Sequence, residues 1–319
     1  MPTKTVHAVG ELDLIKWIAR SVDKKGRKKK SIVGIGDDCA VVPIGKKLCL
    51  LTVDALVDGI HFNQRWFSPE LIGRKAVEVN VSDIVAKGGN PAFALVSMII
   101  PPTFPLRKFQ RIYRGIISAA TAHDVRIVGG NLSRGRQLTI DISLVGFVDR
   151  KNVRLRSDAK PGDLIMVTGN LGDAGAGLEL LRKNISGFAS LRSKYLRPTT
   201  GGGKVKRFIR YIHAMEDISD GLATEVMHIC GQSRVGAVLY PKKVPLSPEL
   251  RKAARLLKKD PIAFALFGGD DYELVFTIPP AALPKVKGVV VGKITRKPGI
   301  FLSDGSLSRP LRKHGFEHF

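Results

Sequence analysis

Apolar and small side chains at Ile72, Ala76, Val79 and Ala86 recur at three- and four-residue spacing, and the run stops at Gly88-Gly89 with Pro91 beyond. That spacing predicts a helix over 71–87, and it places Asp83 on the same inward face. Similar periodicity predicts helices over 11–21 and 107–123. Strict alternation over 138–148 predicts a half-buried strand, and short β-rich runs predict strands over 31–42, 47–53, 93–100 and 126–128, the first two divided by a turn at Pro43-Ile44-Gly45. The pattern breaks over 149–163, where Arg156, Lys160, Pro161 and Gly162 interrupt it. It resumes with a strand over 164–168, a helix over 176–182, a further helix after Ser219, and strands over 235–240, 274–278 and 289–294. The expected fold class is α/β with mixed sheets, in two units spanning 1–150 and 151–319, and the chain length suits two domains of ordinary size.

Composition changes this picture little. The chain is 44% hydrophobic and 25% charged, which excludes a disordered or fibrous class. No apolar run reaches the length of a membrane helix, and the N-terminus lacks a secretory pattern, so a cytoplasmic protein without membrane association is expected. Cys39, Cys49 and Cys230 are scattered and lack metal or redox spacing, and they read as reduced thiols. Charge is the exception. With 52 Lys+Arg against 28 Asp+Glu the net charge is +24, enough to attract polyanions nonspecifically. The excess is spread over both halves, with one dense run at Lys24-Lys25-Gly26-Arg27-Lys28-Lys29-Lys30. Spread charge without a recognition motif points to nonspecific nucleic-acid contact at most.

In so basic a chain, carboxylates set among small and apolar residues carry the information. Five places have this character: Gly36-Asp37-Asp38, Thr52-Val53-Asp54, Asn80-Val81-Ser82-Asp83, Glu216-Asp217-Ile218-Ser219-Asp220-Gly221, and Gly268-Gly269-Asp270-Asp271. Any one of them reads equally well as a helix cap or a turn. Together, inward acids would repel one another, and hard divalent cations held by carboxylate and hydroxyl oxygens supply the counter-charge. Alternation puts Thr52 and Asp54 on one face of their strand. Magnesium bound in this way completes its shell with phosphate oxygens, which implies a polyphosphate ligand. Gly129-Gly130-Asn131 and the run from Gly169 to Gly177 read as glycine turns able to receive anions, although neither is a Walker A or dinucleotide motif.

On these motifs, and on Gly59-Ile60-His61-Phe62, Arg156-Ser157-Asp158-Ala159-Lys160-Pro161-Gly162-Asp163, Gly269-Asp270-Asp271-Tyr272-Glu273 and Gly315-Phe316-Glu317-His318-Phe319, the chain resembles the thiamine-monophosphate kinases. These belong to the superfamily that includes aminoimidazole ribonucleotide synthetase and selenophosphate synthetase. The resemblance implies an N-terminal domain whose sheet pairs with its twin in a homodimer, a C-terminal α/β domain, and ATP in the cleft between them. It further implies magnesium ions on Asp37, Thr52, Asp54, Asp83, Asp217 and Asp220, with Asn131 at a position where relatives carry aspartate. Nucleotide contacts would come from Tyr113, Gly129, Gly130, Arg156 and Ser219, and contacts to thiamine monophosphate from His61, Asp270 and Phe316. Val53 stands where a hydroxyl residue is usual, so it offers only backbone oxygen. Two rivals within the superfamily are selenophosphate synthetase, which normally needs an N-terminal Gly-rich loop with a reactive Cys or Sec, and a hydrogenase-maturation factor, which normally needs a C-terminal cysteine tail; neither feature is seen in this sequence.

Overall fold

The structure is a computed structural model and describes residues 5–25, 33–305 and 307–311. Residues 26–30 of the basic run and Phe316 lie outside the described residues. The first part of the chain runs α1 (Val6–Val9), α2 (Glu11–Lys25), β1 (Ala40–Ile44), β2 (Lys47–Val57), α3 (Pro69–Ala86), β3 (Asn90–Ile100), α4 (Leu106–Ala122), β4 (Arg126–Arg134) and β5 (Thr139–Asp149). Its strands form one mixed sheet in the order β1-β2-β5-β3-β4. Only the β3–β4 pair, joined by the α4 crossover, is parallel.

The period-two expectation for β5 is met in detail. Ile140, Ile142, Leu144 and Val148 are buried against the helices, and Thr139, Asp141, Ser143, Val145 and Phe147 turn the other way. In β2, Leu48, Leu50 and Leu56 point to the helical side, so Thr52 and Asp54 point there too. Among the described residues the opposite face is bare and apolar. Leu51, Val53, Phe93, Leu95, Ile99 and Val128 are exposed on it, Val53 at 57%.

Helices α3 and α4 cross at very short range on the core side. A Cβ at Gly73 would come within 2.1 Å of the Ile112 carbonyl, and one at Gly115 within 2.1 Å of the Glu70 carbonyl, so each helix needs its glycine for the other to seat. Ser68 caps α3 by accepting from the Leu71 N–H, with Pro69 at the first helical position. This close seating fixes where α3 lies over the sheet and therefore where Asp83 lies over Thr52.

The second part contains β6 (Leu164–Val167), α5 (Asp173–Arg182), α6 (Ala189–Leu196), β7 (Met215–Asp217), α7 (Leu222–Ser233), β8 (Gly236–Leu239), α8 (Pro248–Leu257), α9 (Pro261–Phe267), β9 (Leu274–Ile278), β10 (Val289–Thr295), β11 (Gly299–Ser303) and β12 (Ser308–Pro310). Its seven-stranded mixed sheet has the order β12-β11-β8-β10-β6-β9-β7, with β8 and β11 parallel. The two-domain α/β architecture with mixed sheets is therefore as the sequence predicts.

Several local expectations are corrected. Gly129-Gly130 is not a turn. The strand expected over 126–128 continues to Arg134, and both glycines pair with β3, where a Cβ at Gly130 would meet the Val96 carbonyl at 1.8 Å. Close strand approach, rather than an anion loop, explains that glycine. The expected turn at Pro43-Ile44 also moves, because both residues pair within β1 and the reversal falls after Ile44.

Candidate active site

The edge strand β7 of the second sheet ends at Asp217, beside α3 of the first domain. Between the domains lies a cavity of about 1000 Å³ whose walls include Asp54, His61, Lys75, Asp83, Asp217, Ser219, Asp220 and Asp270. Seven of the residues singled out from the sequence thus share one space. Thr52 joins them by donating its hydroxyl to Asp83 Oδ2 at 2.5 Å, and Ser82 donates to Asp217 Oδ2 at 2.6 Å. The backbone N–H of Asp54 donates to Asn80 Oδ1 at 3.1 Å, tying β2 to the middle of α3.

At the inner end, carboxylate oxygens of Asp38, Asp83 and Asp217 all lie within 4.8 Å of one another. Burial, followed by the neighbouring charges of Asp54, Asp217 and Asp38, pushes the Asp83 carboxyl well above its ordinary range. Burial and Asp38 do the same to Asp217 against the opposing Ser82 hydrogen bond. Burial also acts on Asp38, but the guanidinium of Arg156 and the ammonium of Lys87 outweigh it and hold that carboxyl below its usual value. Asp220 is raised to about 7, first by burial and then by Glu225. Buried carboxylates that raise one another's affinity for protons also favour a divalent cation, and an all-oxygen donor set suits magnesium rather than a softer metal. The residues present fit such an ion.

Asp37 stands at the edge of this group. Its Oδ1 lies 2.5 Å from Lys87 Nζ, and its Oδ2 accepts from the Arg156 N–H at 3.1 Å. Asp38 meets the same two cations, and it is the one of the pair with an oxygen within 4.8 Å of those of Asp83 and Asp217. Arg156, expected at the nucleotide, has its guanidinium on Asp38, on Glu216 at 2.5 Å and on the Gly36 carbonyl at 3.2 Å. Glu216 carries the chain of charges on to His228 at 2.8 Å. Burial would lower the His228 imidazole, but Glu216 and Glu225 overcome this and raise it to about 10, so it is a cation at neutral pH. Glu225 Oε1 in turn accepts the backbone N–H groups of Ser219 at 3.2 Å and Asp220 at 2.8 Å, fixing the loop that follows Asp217.

Tyr113, Gly130 and Asn131 lie apart from the acids. They line a second cavity of about 630 Å³ with Val96, Phe109, Ile117 and Leu132, and it shares no lining residue with the first. Gly129 is adjacent in β4, and Asn131 Nδ2 donates to Ser133 Oγ at 2.9 Å rather than approaching the acid group.

Asp38, Ser82, Lys87 and Glu225 were not singled out individually from the sequence. A signal existed for Lys87, a lysine closing an otherwise apolar helical run and hence in need of buried partners. None existed for choosing Asp38 over Asp37, because adjacent residues diverge in direction according to a local backbone that pattern does not specify.

Comparison with known proteins follows the same outline. The AIR synthase related protein N-terminal domain matches residues 36–148, and the corresponding C-terminal domain matches residues 160–301. The thiamine-monophosphate kinase of Aquifex aeolicus (strain VF5) is 38% identical over 98% of this chain and 98% of its own length. That of Buchnera aphidicola subsp. Acyrthosiphon pisum is 35% identical over 93% of this chain and 96% of its own. The solved structure of AaThiL complexed with AMPPCP and TMP superposes with a TM-score of 0.91 at 35% identity and covers 100% of both chains. The chain belongs to the thiamine-monophosphate kinase family.

Proposed function

We propose that this protein transfers the γ-phosphoryl group of ATP to the phosphate of thiamine monophosphate, giving thiamine diphosphate and ADP. The observation that carries the reading is the convergence of Asp38, Asp54, Asp83, Asp217 and Asp220 on one interdomain space. The fold match to a relative complexed with an ATP analogue and TMP supports it.

Magnesium, bound by Asp38, Asp83 and Asp217 with Asp54 and Asp220 nearby, would supply neutralisation of phosphate charge. The acceptor phosphate is largely ionised near neutral pH, so no strong base has to be found among the side chains. An acceptor oxygen attacks the γ-phosphorus in line, and the bond to the β–γ bridging oxygen breaks. The protein's own work is positioning: residues 1–150 bring α3 and β2, and residues 151–319 bring the Asp217–Asp220 loop and Asp270, so two mutually repelling anions are held at reacting distance. His61 and Asp270 are assigned to the acceptor, and Ser219 to the nucleotide.

The bare apolar face of the first sheet is assigned to pairing with a second copy. A patch of this kind is rarely left open to water. The net charge of +24 is assigned no specific partner.

The test is incubation with ATP, magnesium and thiamine monophosphate, with chromatographic detection of thiamine diphosphate. Selenide and hydrogenase-pathway substrates serve as controls. Formation of thiamine diphosphate that stops when the metal is chelated is expected. Turnover of a control substrate alone would overturn the assignment.

A further inference from the structure

Lys75 is buried to 1% exposure in the wall of the acid-lined cavity. An ammonium withdrawn this far from water is costly unless all its donors are used. Here Nζ donates to the His61 carbonyl at 3.1 Å and to Asp270 Oδ2 at 3.0 Å, and it sits 4.6 Å from the centre of the Tyr195 ring. Two hydrogen bonds and an aromatic face thus surround Nζ, which lies against protein rather than open to a phosphate. Any effect it has on the reaction passes through the groups it holds.

Those groups face the cavity. Asp270 stands in a left-handed backbone conformation with φ 59°, and Tyr272, two residues on, has φ 50°. Non-glycine residues hold such angles only where the surroundings fix them. The backbone N–H groups of Asp270 and Tyr272 donate to the Ser219 and Ile218 carbonyls at 2.7 and 2.8 Å, and the Asp270 carboxylate is held by the Lys75 ion pair on Oδ2 and by the Tyr272 hydroxyl, which donates to Oδ1 at 2.7 Å. His61 is pinned through its carbonyl by Lys75, and its Nδ1 accepts the Val57 N–H at 3.0 Å, which places the proton of the neutral ring on Nε2.

The clamp also crosses the cleft. Lys75 and Ser82 lie two turns apart on one side of α3, and both reach into the second domain, to Asp270 and Asp217 respectively. One helix thus sets the acid group at one level and the Asp270 carboxylate at another.

We propose that Lys75 is a positioning residue for the acceptor: it fixes the placing of Asp270 and His61, and through them the bound thiamine monophosphate, while leaving the nucleotide side untouched. This rests on the functional reading above. The test is steady-state kinetics of the full-length wild-type protein, Lys75→Met, Asp270→Asn and the double variant, with melting temperatures alongside. Lys75→Met is expected to raise KM for thiamine monophosphate about tenfold or more while KM for ATP stays within about twofold. The double variant is expected to be no worse than the poorer single variant, because each change breaks the same clamp.

Should Lys75→Met not accumulate folded, Tyr195→Leu removes the ring under the ammonium, and with it the hydroxyl 3.5 Å from the His61 carbonyl, but keeps the ammonium's own two hydrogen bonds. The same split is then expected, at about threefold. Equal shifts for both substrates, or single effects that multiply in the double variant, would overturn the proposal. No thiamine diphosphate from the wild type would overturn the functional reading instead.

Discussion

Replacing Asp83 with asparagine separates what the acid group does for stability from what it does for activity. In the metal-free protein, oxygens of Asp83 lie within 4.8 Å of those of Asp38 and Asp217. Two unit charges at that spacing repel by about 3.5 kcal/mol at an effective dielectric of about 20. The raised Asp83 carboxyl shows that the protein relieves part of this by holding a proton. Asparagine removes the charge at nearly constant volume and can still accept the Thr52 hydroxyl. The metal-free variant at pH 8 should therefore be more stable than the parent by about 1 to 3 kcal/mol, seen as a rise of a few degrees in Tm. Saturating magnesium should raise the parent's Tm and barely move that of the variant. Turnover should fall by about 100- to 1000-fold, the scale on which loss of one preorganised electrostatic group is felt. Differential scanning fluorimetry in chelator and in magnesium, beside a chromatographic assay for thiamine diphosphate, reads all three. Turnover within about threefold of the parent, or a metal-free Tm below the parent's, would refute the reasoning.

Other outcomes follow from the same geometry. Lys87→Met leaves Asp37 and Asp38 without a buried partner that now sits at 2.5 and 2.8 Å, and should cost about 3 to 5 kcal/mol in denaturant unfolding. A double change of Val53 and Leu95 to glutamate places charge in the middle of the apolar sheet face, where both flank Ser143. It should convert a dimer to monomer in analytical ultracentrifugation, and a monomeric parent would contradict the pairing. Asp271 accepts the Gly172 N–H at 2.7 Å, and burial raises its carboxyl from 3.8 to about 7. Because the folded state holds this proton more tightly than the unfolded chain does, the stability it contributes declines as pH rises across that window and is gone above it. Asp271→Asn should flatten the fall in Tm between pH 5 and 8, by at most about 4 kcal/mol at the upper end.

Much of the fold was legible because its elements obey single periods. The helix over 71–87 and the strand over 138–148 carry clean patterns, and the structure places α3 at Pro69–Ala86 and β5 at Thr139–Asp149. The short β7, β12 and α6 were not legible, since charged residues interrupt them, whereas the short β6, β8 and β9 are unbroken by charge. The glycines of β4 were read as a turn because sequence does not distinguish a glycine needed for backbone freedom from one needed for close approach.

The acid group was legible in kind but not in register. Thr52 and Asp54 follow from alternation along β2, and Asp83 from the helical face of α3. Which of Asp37 and Asp38 comes nearer Asp83 and Asp217 depends on how their loop lies against Lys87 and Arg156, which meet both acids and stand 50 and 119 residues from Asp37. Lys75 escaped notice for a similar reason. On a helix near the surface in sequence terms it reads as an ordinary solvated lysine, and only the closing of the second domain over α3 buries it.

The central claim is that Asp38, Asp83 and Asp217 converge to hold a divalent cation. Crystals grown with manganese in place of magnesium and an unhydrolysable ATP analogue test it most directly through the metal's anomalous scattering. An anomalous peak within bonding distance of those three carboxylates is predicted. No peak there, or a peak confined to Glu216, Glu225 and His228, would contradict the account.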